Sequence, residues 1–176
     1  SAQRVVLTTS PHPTDGKTMM ACNLAIKVAE SGKKVLLVDC DMRRPSIYNW
    51  FNIDNSKGVV DVLAGELKFD DVLKASVVKN LTIITAGSKR KNPSPAELIA
   101  GPAFDEFIAK ARANFDVVIL DTPPVLYVSD AAAMAPRVDG VVYVFRIRRG
   151  GRPDFASGFK ALVDMGANVL GCIVNC

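Results

Sequence analysis

Residues 5–18 read VVLTTSPHPTDGKT, and the rest of the chain is organised around them. An apolar strand, Arg4 to Thr9, ends in polar turn-forming residues. Gly16-Lys17-Thr18 then opens a helical pattern that runs to about Ser31. Backbone N–H groups in a strand–loop–helix of this kind converge on an anion, and the helix N-terminus adds roughly half a positive charge. Lys17 is placed to reach β- and γ-phosphate oxygens and the Thr18 hydroxyl to ligate Mg²⁺. Thr14, Asp15, Gly16 and Met19 complete the stretch expected to hold the nucleotide. The pattern is imperfect: Pro11 stands six before Lys17, where the GxxxxGK[ST] motif has glycine. An ordinary strand–turn–helix is the other reading of this stretch taken alone.

The 176 residues are 49% hydrophobic, which suits one globular domain, residues 1–176. No apolar run approaches the ~20 residues of a membrane span, and no secretory signal opens the chain. A soluble chain is expected. It starts almost on a strand and stops on one, so it reads as a fragment of something longer. The formal charge of +4 is mild. Its concentrations at Lys89-Arg90-Lys91 and at Arg146, Arg148, Arg149 and Arg152 read as solvated surface, or as contacts for anionic lipid, nucleic acid or an acidic partner. Cys22, Cys40, Cys172 and Cys176 match no zinc spacing and read as small buried hydrophobes in a reducing compartment.

In the first helix Met20, Leu24 and Val28 share a face, with Ala21 and Ala25 beside it, and Gly32 caps the end. Strand two, Lys34 to Asp39, is apolar on both faces, as a central parallel strand should be. Residues 46–58 read as a loop or a short irregular segment, in which Trp50 and Phe51 are core anchors or pack a neighbour. Short helices follow at Gly58–Leu63 and Asp70–Lys74, then strand three at Leu81–Thr85. The basic loop 87–95 leads to Ser94, an N-cap with Glu97 three later. A helix from Pro102 to Asn114 turns Phe104, Phe107, Ile108 and Ala111 inward. Strand four is Phe115–Asp121. Ser129-Asp130 caps a short helix at 131–135, strand five is Gly140–Phe145, a helix covers Pro153–Met165, and strand six is Val169–Val174.

Alternating strands and helices, with strands apolar on both faces, predict a doubly wound, mostly parallel α/β sheet flanked by helices. Asp39 and Asp41 leave the end of strand two two residues apart, hence on one side of extended backbone. Carboxylates gathered there repel and ask for a cation. The alternative has Asp41 capping the next turn and Asp39 paired to Arg43. Asp121 ends strand four, where it holds a water of the Mg²⁺ shell or caps a turn. Asn175 ends the last strand, where it meets a base edge or makes ordinary turn chemistry. Lys17, Thr18, Asp39, Asp41 and Asp121 all fall at carboxyl ends of strands or just beyond, where α/β sheets bind ligands.

The three stretches SPHPTDGKT, VLLVDCDMR and VVILDTPP resemble the glycine-rich loop, DxDxR run and DxxP run of bacterial tyrosine kinases. These are the cytoplasmic kinase domains of capsule and exopolysaccharide synthesis machinery. The likeness extends to GVVDVLAGE, NPSPAELI, DTPPVLYVSDA and VLGCIVN. The resemblance implies the P-loop NTPase fold shared with septum-positioning and chromosome-partition ATPases. It implies ATP and Mg²⁺ as cofactors and transfer of the γ-phosphoryl group to tyrosine hydroxyls. Lys17 would neutralise phosphate oxygens, and Thr18, Asp41 and Asp121 would serve the metal. Asp39 would accept or orient the tyrosine proton, and Arg43 would support the acidic strand end or a neighbouring subunit. It further implies a homo-oligomer, in the family a ring, and an inner-membrane polysaccharide co-polymerase segment or adaptor at the cytoplasmic face. No nucleic-acid partner is expected.

The chain departs from the family's pattern in three places. On this reading the chain, which ends at Cys176, is expected to lack the family's tyrosine-rich tail and its N-terminal oligomerisation helix. Tyr48, Tyr127 and Tyr143 are its only tyrosines, Tyr143 expected in the core and Tyr48 in a loop. Thr14 stands where relatives carry glycine, and a β-branched residue resists positive φ. Either the loop takes another path or ATP binds more weakly than in relatives. A partition-type ATPase without tyrosine transfer, or a weakly binding assembly module, are the rival readings.

Overall fold

The computed structural model describes residues 4–88, 93–147 and 151–175. Seven strands form one sheet: β1 (Val5–Thr9), β2 (Val35–Asp39), β3 (Lys74–Ala75), β4 (Leu81–Ile84), β5 (Val117–Asp121), β6 (Gly140–Arg146) and β7 (Val169–Asn175). Their order is β3-β4-β2-β5-β1-β6-β7. All neighbours are parallel except β3, which pairs antiparallel with β4. The helices are α1 (Lys17–Glu30), α2 (Ile47–Phe51), α3 (Val59–Leu63), α4 (Pro95–Ala100), α5 (Pro102–Asn114), α6 (Asp130–Met134) and α7 (Gly151–Asp164). Chain order departs from sheet order at β1, so β2 and β5 lie to one side of it and β6 to the other. That is the doubly wound plan expected from the apolar pattern.

Side chains of a strand alternate between faces, and each central strand feeds two cores. Leu36, Val38, Val118 and Leu120 face Phe104, Phe107, Ile108 and Ala111 of α5. Val35, Leu37 and Ile119 face Ala21, Ala25 and Ala29 of α1. The first helix therefore presents its small residues to the sheet, while Met20, Leu24 and Val28 are only half-buried. The expected large-residue face is displaced by one step around the helix. A row of alanines lets α1 lie close to the strands, which brings its N-terminus over their carboxyl ends. The Ser94 cap is as read: its hydroxyl accepts from Glu97 N–H, and Glu97 Oε2 accepts from Ser94 N–H at 2.6 Å.

Several expectations fail. Residues 46–58 are not all loop, because Ile47–Phe51 form α2. Its N-terminus is held by a carboxylate from β2, a partner remote enough to leave no local signal. Of the two roles read for Trp50, its exposure excludes the core anchor, whereas Phe51 packs against the core. The predicted helix at 70–74 is a single 3₁₀ turn, Phe69–Val72, followed by β3. Cys172 is exposed because β7 is an edge strand. Cys22 and Cys40 are buried as expected, and burial pushes the Cys22 thiol up to about 12. Cys176, Lys89, Arg90, Lys91, Arg148 and Arg149 lie outside the described residues. Among those described, no helix is long and apolar enough to cross a membrane.

Candidate active site

The site forms where β1, β2 and β5 end together. Asp39 of β2 stands in register with Asp121 of β5, and Thr8 of β1 in register with Asp121. The loop from β1 returns as α1, carrying Lys17 and Thr18 across these ends. Lys17 Nζ lies 3.2 Å from Asp41 Oδ2 and 3.5 Å from Asp121 Oδ1. The Thr18 hydroxyl donates to Asp121 Oδ2 at 2.6 Å. A cleft of about 470 Å³ opens above them. It is lined by Arg43, Arg44 and Ser46 from the turn after β2, by Pro123, Pro124, Tyr127 and Val128 after β5, and by Lys17, Thr18 and Asp41.

The two acidic residues after β2 part company. Asp41 does two jobs at once, accepting Arg44 N–H at 3.0 Å through Oδ1 while Oδ2 meets Lys17. Asp39 is fully buried and does not line the cleft. Its oxygens accept the N–H groups of Asp41, Ser46 and Ile47 at 3.1, 2.9 and 3.0 Å, which anchors the start of α2. Asp39 does not pair with Arg43. The Arg43 guanidinium turns instead to Asp130, at 2.9 and 3.0 Å.

Burial and the negative charge of Asp121 raise Asp39 to about 7, against the backbone N–H groups that favour its ionised form. Burial also raises Asp121, although Lys17 and Thr18 oppose it. For Lys17, burial pushes down but the carboxylates Asp121, Asp41 and Asp39 outweigh it, so its pKa lies above the ordinary lysine value. The Thr18 hydroxyl and the carboxylates of Asp41 and Asp121 stand together beside Lys17, and hydroxyl and carboxylate oxygens are the donors a hard divalent cation prefers. The site thus fits Mg²⁺.

The phosphate loop holds its shape by local strain and by contacts from afar. Thr14 sits at φ 68 and Gly16 at φ 95. The loop keeps the left-handed turn that glycine would take, and threonine bears it. At Gly16 no side chain caps α1, and no acidic residue occupies the helix's first turn, an arrangement that suits an anion at a helix N-terminus. Asp15 Oδ2 accepts His12 N–H at 3.1 Å, and His12 Nε2 lies 2.9 Å from Asp154 of α7. Asn175 donates its amide N–H to the Asp15 carbonyl at 3.2 Å. A Cβ on Gly16 would lie 2.4 Å from that same amide nitrogen, so glycine is required twice over. Met19 is half-buried on the first turn of α1.

The structure brings Lys17, Thr18, Asp41 and Asp121 into direct contact, sets Asp39 behind them, and leaves Arg43 on the rim. Sequence reading missed Asp130 as the partner of Arg43, and His12 and Asp154 as a tie between loop and α7. Spacing carries no trace of either, because both join segments more than eighty residues apart. Tyr143 is buried, as expected, and Tyr48 is half-buried on α2.

Fold and site together define a P-loop NTPase, built on the architecture that also carries a septum site-determining protein of Pyrococcus horikoshii. The family model described as AAA domain matches residues 14–145. The chain is 36% identical to the tyrosine-protein kinase YwqD of Bacillus subtilis, over 97% of this chain and 71% of that protein. It is 37% identical to the putative tyrosine-protein kinase EpsB of Ralstonia nicotianae, over 99% of this chain and 23% of that protein. The crystal structure of the chimerical protein CapA2B2 superposes with a TM-score of 0.94 at 33% identity, covering 99% of this chain and 76% of that one. The chain belongs to the bacterial tyrosine kinase family of capsule and exopolysaccharide systems. It spans less than a quarter of the Ralstonia relative and about seven-tenths of the Bacillus one.

Proposed function

We propose that this chain binds Mg-ATP in the cleft above Lys17 and transfers the γ-phosphoryl group to tyrosine hydroxyls. The observation that carries this reading is the convergence of Lys17, Thr18, Asp41 and Asp121 at one end of the sheet. Lys17 neutralises phosphate oxygens, and the N–H groups from Gly16 to Met19 cradle them, with Thr14 and Asp15 setting the loop's path. Thr18, Asp41 and Asp121 are the residues that would hold Mg²⁺ and its waters. Mg²⁺, when bound, neutralises charge on the transferring group. Asn175 spends its amide on the Asp15 carbonyl, so we assign it first to shaping the loop and only through that to the nucleotide.

A loose phosphoryl-transfer transition state needs positioning and charge more than covalent help. The tyrosine proton leaves towards the cleft carboxylate Asp41. Asp39, raised to about 7 and bonded to the Asp41 backbone, holds the turn that carries Asp41 and Arg43. In the longer protein we place this domain in a homo-oligomer, a ring, on the cytoplasmic side of a polysaccharide co-polymerase membrane segment or adaptor.

The test incubates the chain with Mg-ATP and a tyrosine-rich peptide and probes for phosphotyrosine, with Lys17→Met and Asp39→Asn alongside. Phosphotyrosine lost in both variants is the expected result. Hydrolysis of ATP with no phosphotyrosine would turn the reading to a partition-type ATPase.

A further inference from the structure

Arg43 lies on the turn after β2, and Asp130 opens α6 after β5. Their side chains meet as a fork: Nε–H donates to Oδ2 at 2.9 Å and an Nη2–H to Oδ1 at 3.0 Å. The Asp130 side chain is fully buried, while the Arg43 side chain remains 41% exposed. Both turns line the cleft, Arg43, Arg44 and Ser46 from the one and Pro123, Pro124, Tyr127 and Val128 from the segment that leads to Asp130. The pair therefore fastens one lining segment of the cleft to the other.

A bidentate fork fixes a guanidinium in orientation as well as place. It engages two of the five N–H donors such a group carries. The Arg43 side chain is partly exposed and lines the same cleft as Lys17 and Thr18. A donor already aimed at developing charge needs no rearrangement when the reaction occurs. We propose that Asp130 is a positioning residue, which holds Arg43 so that its unengaged N–H edge meets the oxygens of the phosphoryl group in transfer. The proposal rests on the reading of this cleft as a phosphoryl-transfer site.

The test is steady-state kinetics on the whole chain with Mg-ATP and a tyrosine-rich acceptor peptide, using Asp130→Asn, Arg43→Lys, Arg43→Ala and the double variant Arg43→Ala/Asp130→Asn. Asn keeps the shape of Asp130 but sets an amide N–H against the guanidinium. Misplacing a reacting group by about 1 Å costs on the order of 100-fold, so Asp130→Asn should lower kcat roughly 10- to 100-fold. KM for ATP should stay within about threefold, since a loss confined to the transition state leaves ground-state binding intact. Arg43→Lys, which cannot fork, should fall in the same range and serves the comparison if Asp130→Asn does not fold. The double variant should be no slower than Arg43→Ala alone. An equal extra loss on the Arg43→Ala background, an unchanged kcat in Asp130→Asn, or a raised KM with kcat intact would overturn the proposal. If the unaltered chain forms no phosphotyrosine, the kinase reading fails and this inference fails with it; if it does and the variants match it, only this inference fails.

Discussion

Replacing Lys17 by Met removes the ammonium that pairs with Asp41 and Asp121. The side chain is nine-tenths buried, and its two ion pairs measure 3.2 and 3.5 Å. At an effective dielectric of about 20, each pair is worth about 5 kcal/mol of gross attraction. Bringing the ammonium out of water offsets much of that, and breaking a buried pair by removing one partner costs about 3–5 kcal/mol net. The cost has a pH signature. Without Lys17, the buried Asp121, whose pKa burial already raises, loses the positive charge that opposes that rise. Carboxylates with pKa raised in the folded state bind more protons there than in the unfolded chain, so folding stability falls as pH rises from the unfolded value near 4 through the folded one. The slope reaches about 1.4 kcal/mol per pH unit for one proton. Urea denaturation in chelator should show the variant about 3–5 kcal/mol less stable than the unaltered chain at pH 8, with most of that gap closed at pH 5. A loss that stays constant across this range, or one below about 1 kcal/mol at pH 8, would refute the placement of Lys17 as the counter-ion. The control matters for function too, since a loss of phosphotyrosine in this variant counts as catalytic only at a pH where it remains folded.

Thr14→Gly should raise stability slightly, because relief of about 1–2 kcal/mol of left-handed strain exceeds the ~0.5–1 kcal/mol entropic penalty of glycine; chemical denaturation checks the sign, and calorimetry should show tighter Mg-ATP binding. Gly58→Ala should be strongly destabilising, by more than about 3 kcal/mol, since a Cβ would lie 2.1 Å from the Thr85 carbonyl oxygen and 2.3 Å from Gly87 N; a melting temperature near that of the unaltered chain would contradict it. Asp139 accepts the Arg4 and Val5 N–H groups and a fork from Arg112, and the Arg112 hydrogen bonds hold its carboxyl well below the usual range. Asp139→Asn should cost about 1–2 kcal/mol at pH 7, discounted for its partial exposure. The loss should shrink as pH drops below about 4, because a carboxylate with lowered folded pKa gives up its stabilisation as it is protonated.

The residues that carry charge chemistry were legible because each is announced by its neighbours. Lys17 and Thr18 follow a strand and open a helix, and Asp41 and Asp121 end or follow strands apolar on both faces. β3 and α2 were not legible. β3 is two residues long and exists because β4 offers an open edge. α2 starts where it does because Asp39, eight residues before, accepts its first N–H groups. The Arg43–Asp130 fork was invisible for the same reason, since nothing local marks Asp130 as more than a helix cap.

By itself, the order of residues determined which side chains would stand at the carboxyl ends of β1, β2 and β5. Strand length and apolar pattern are properties of short stretches, and they place a terminal residue without knowledge of its neighbours in space. Only the folded chain decided which of those side chains face one another. Asp39 went behind the cleft and Asp41 into it because backbone N–H groups of α2 claimed the first and Lys17 the second, and burial made every such pairing too costly to leave unmet.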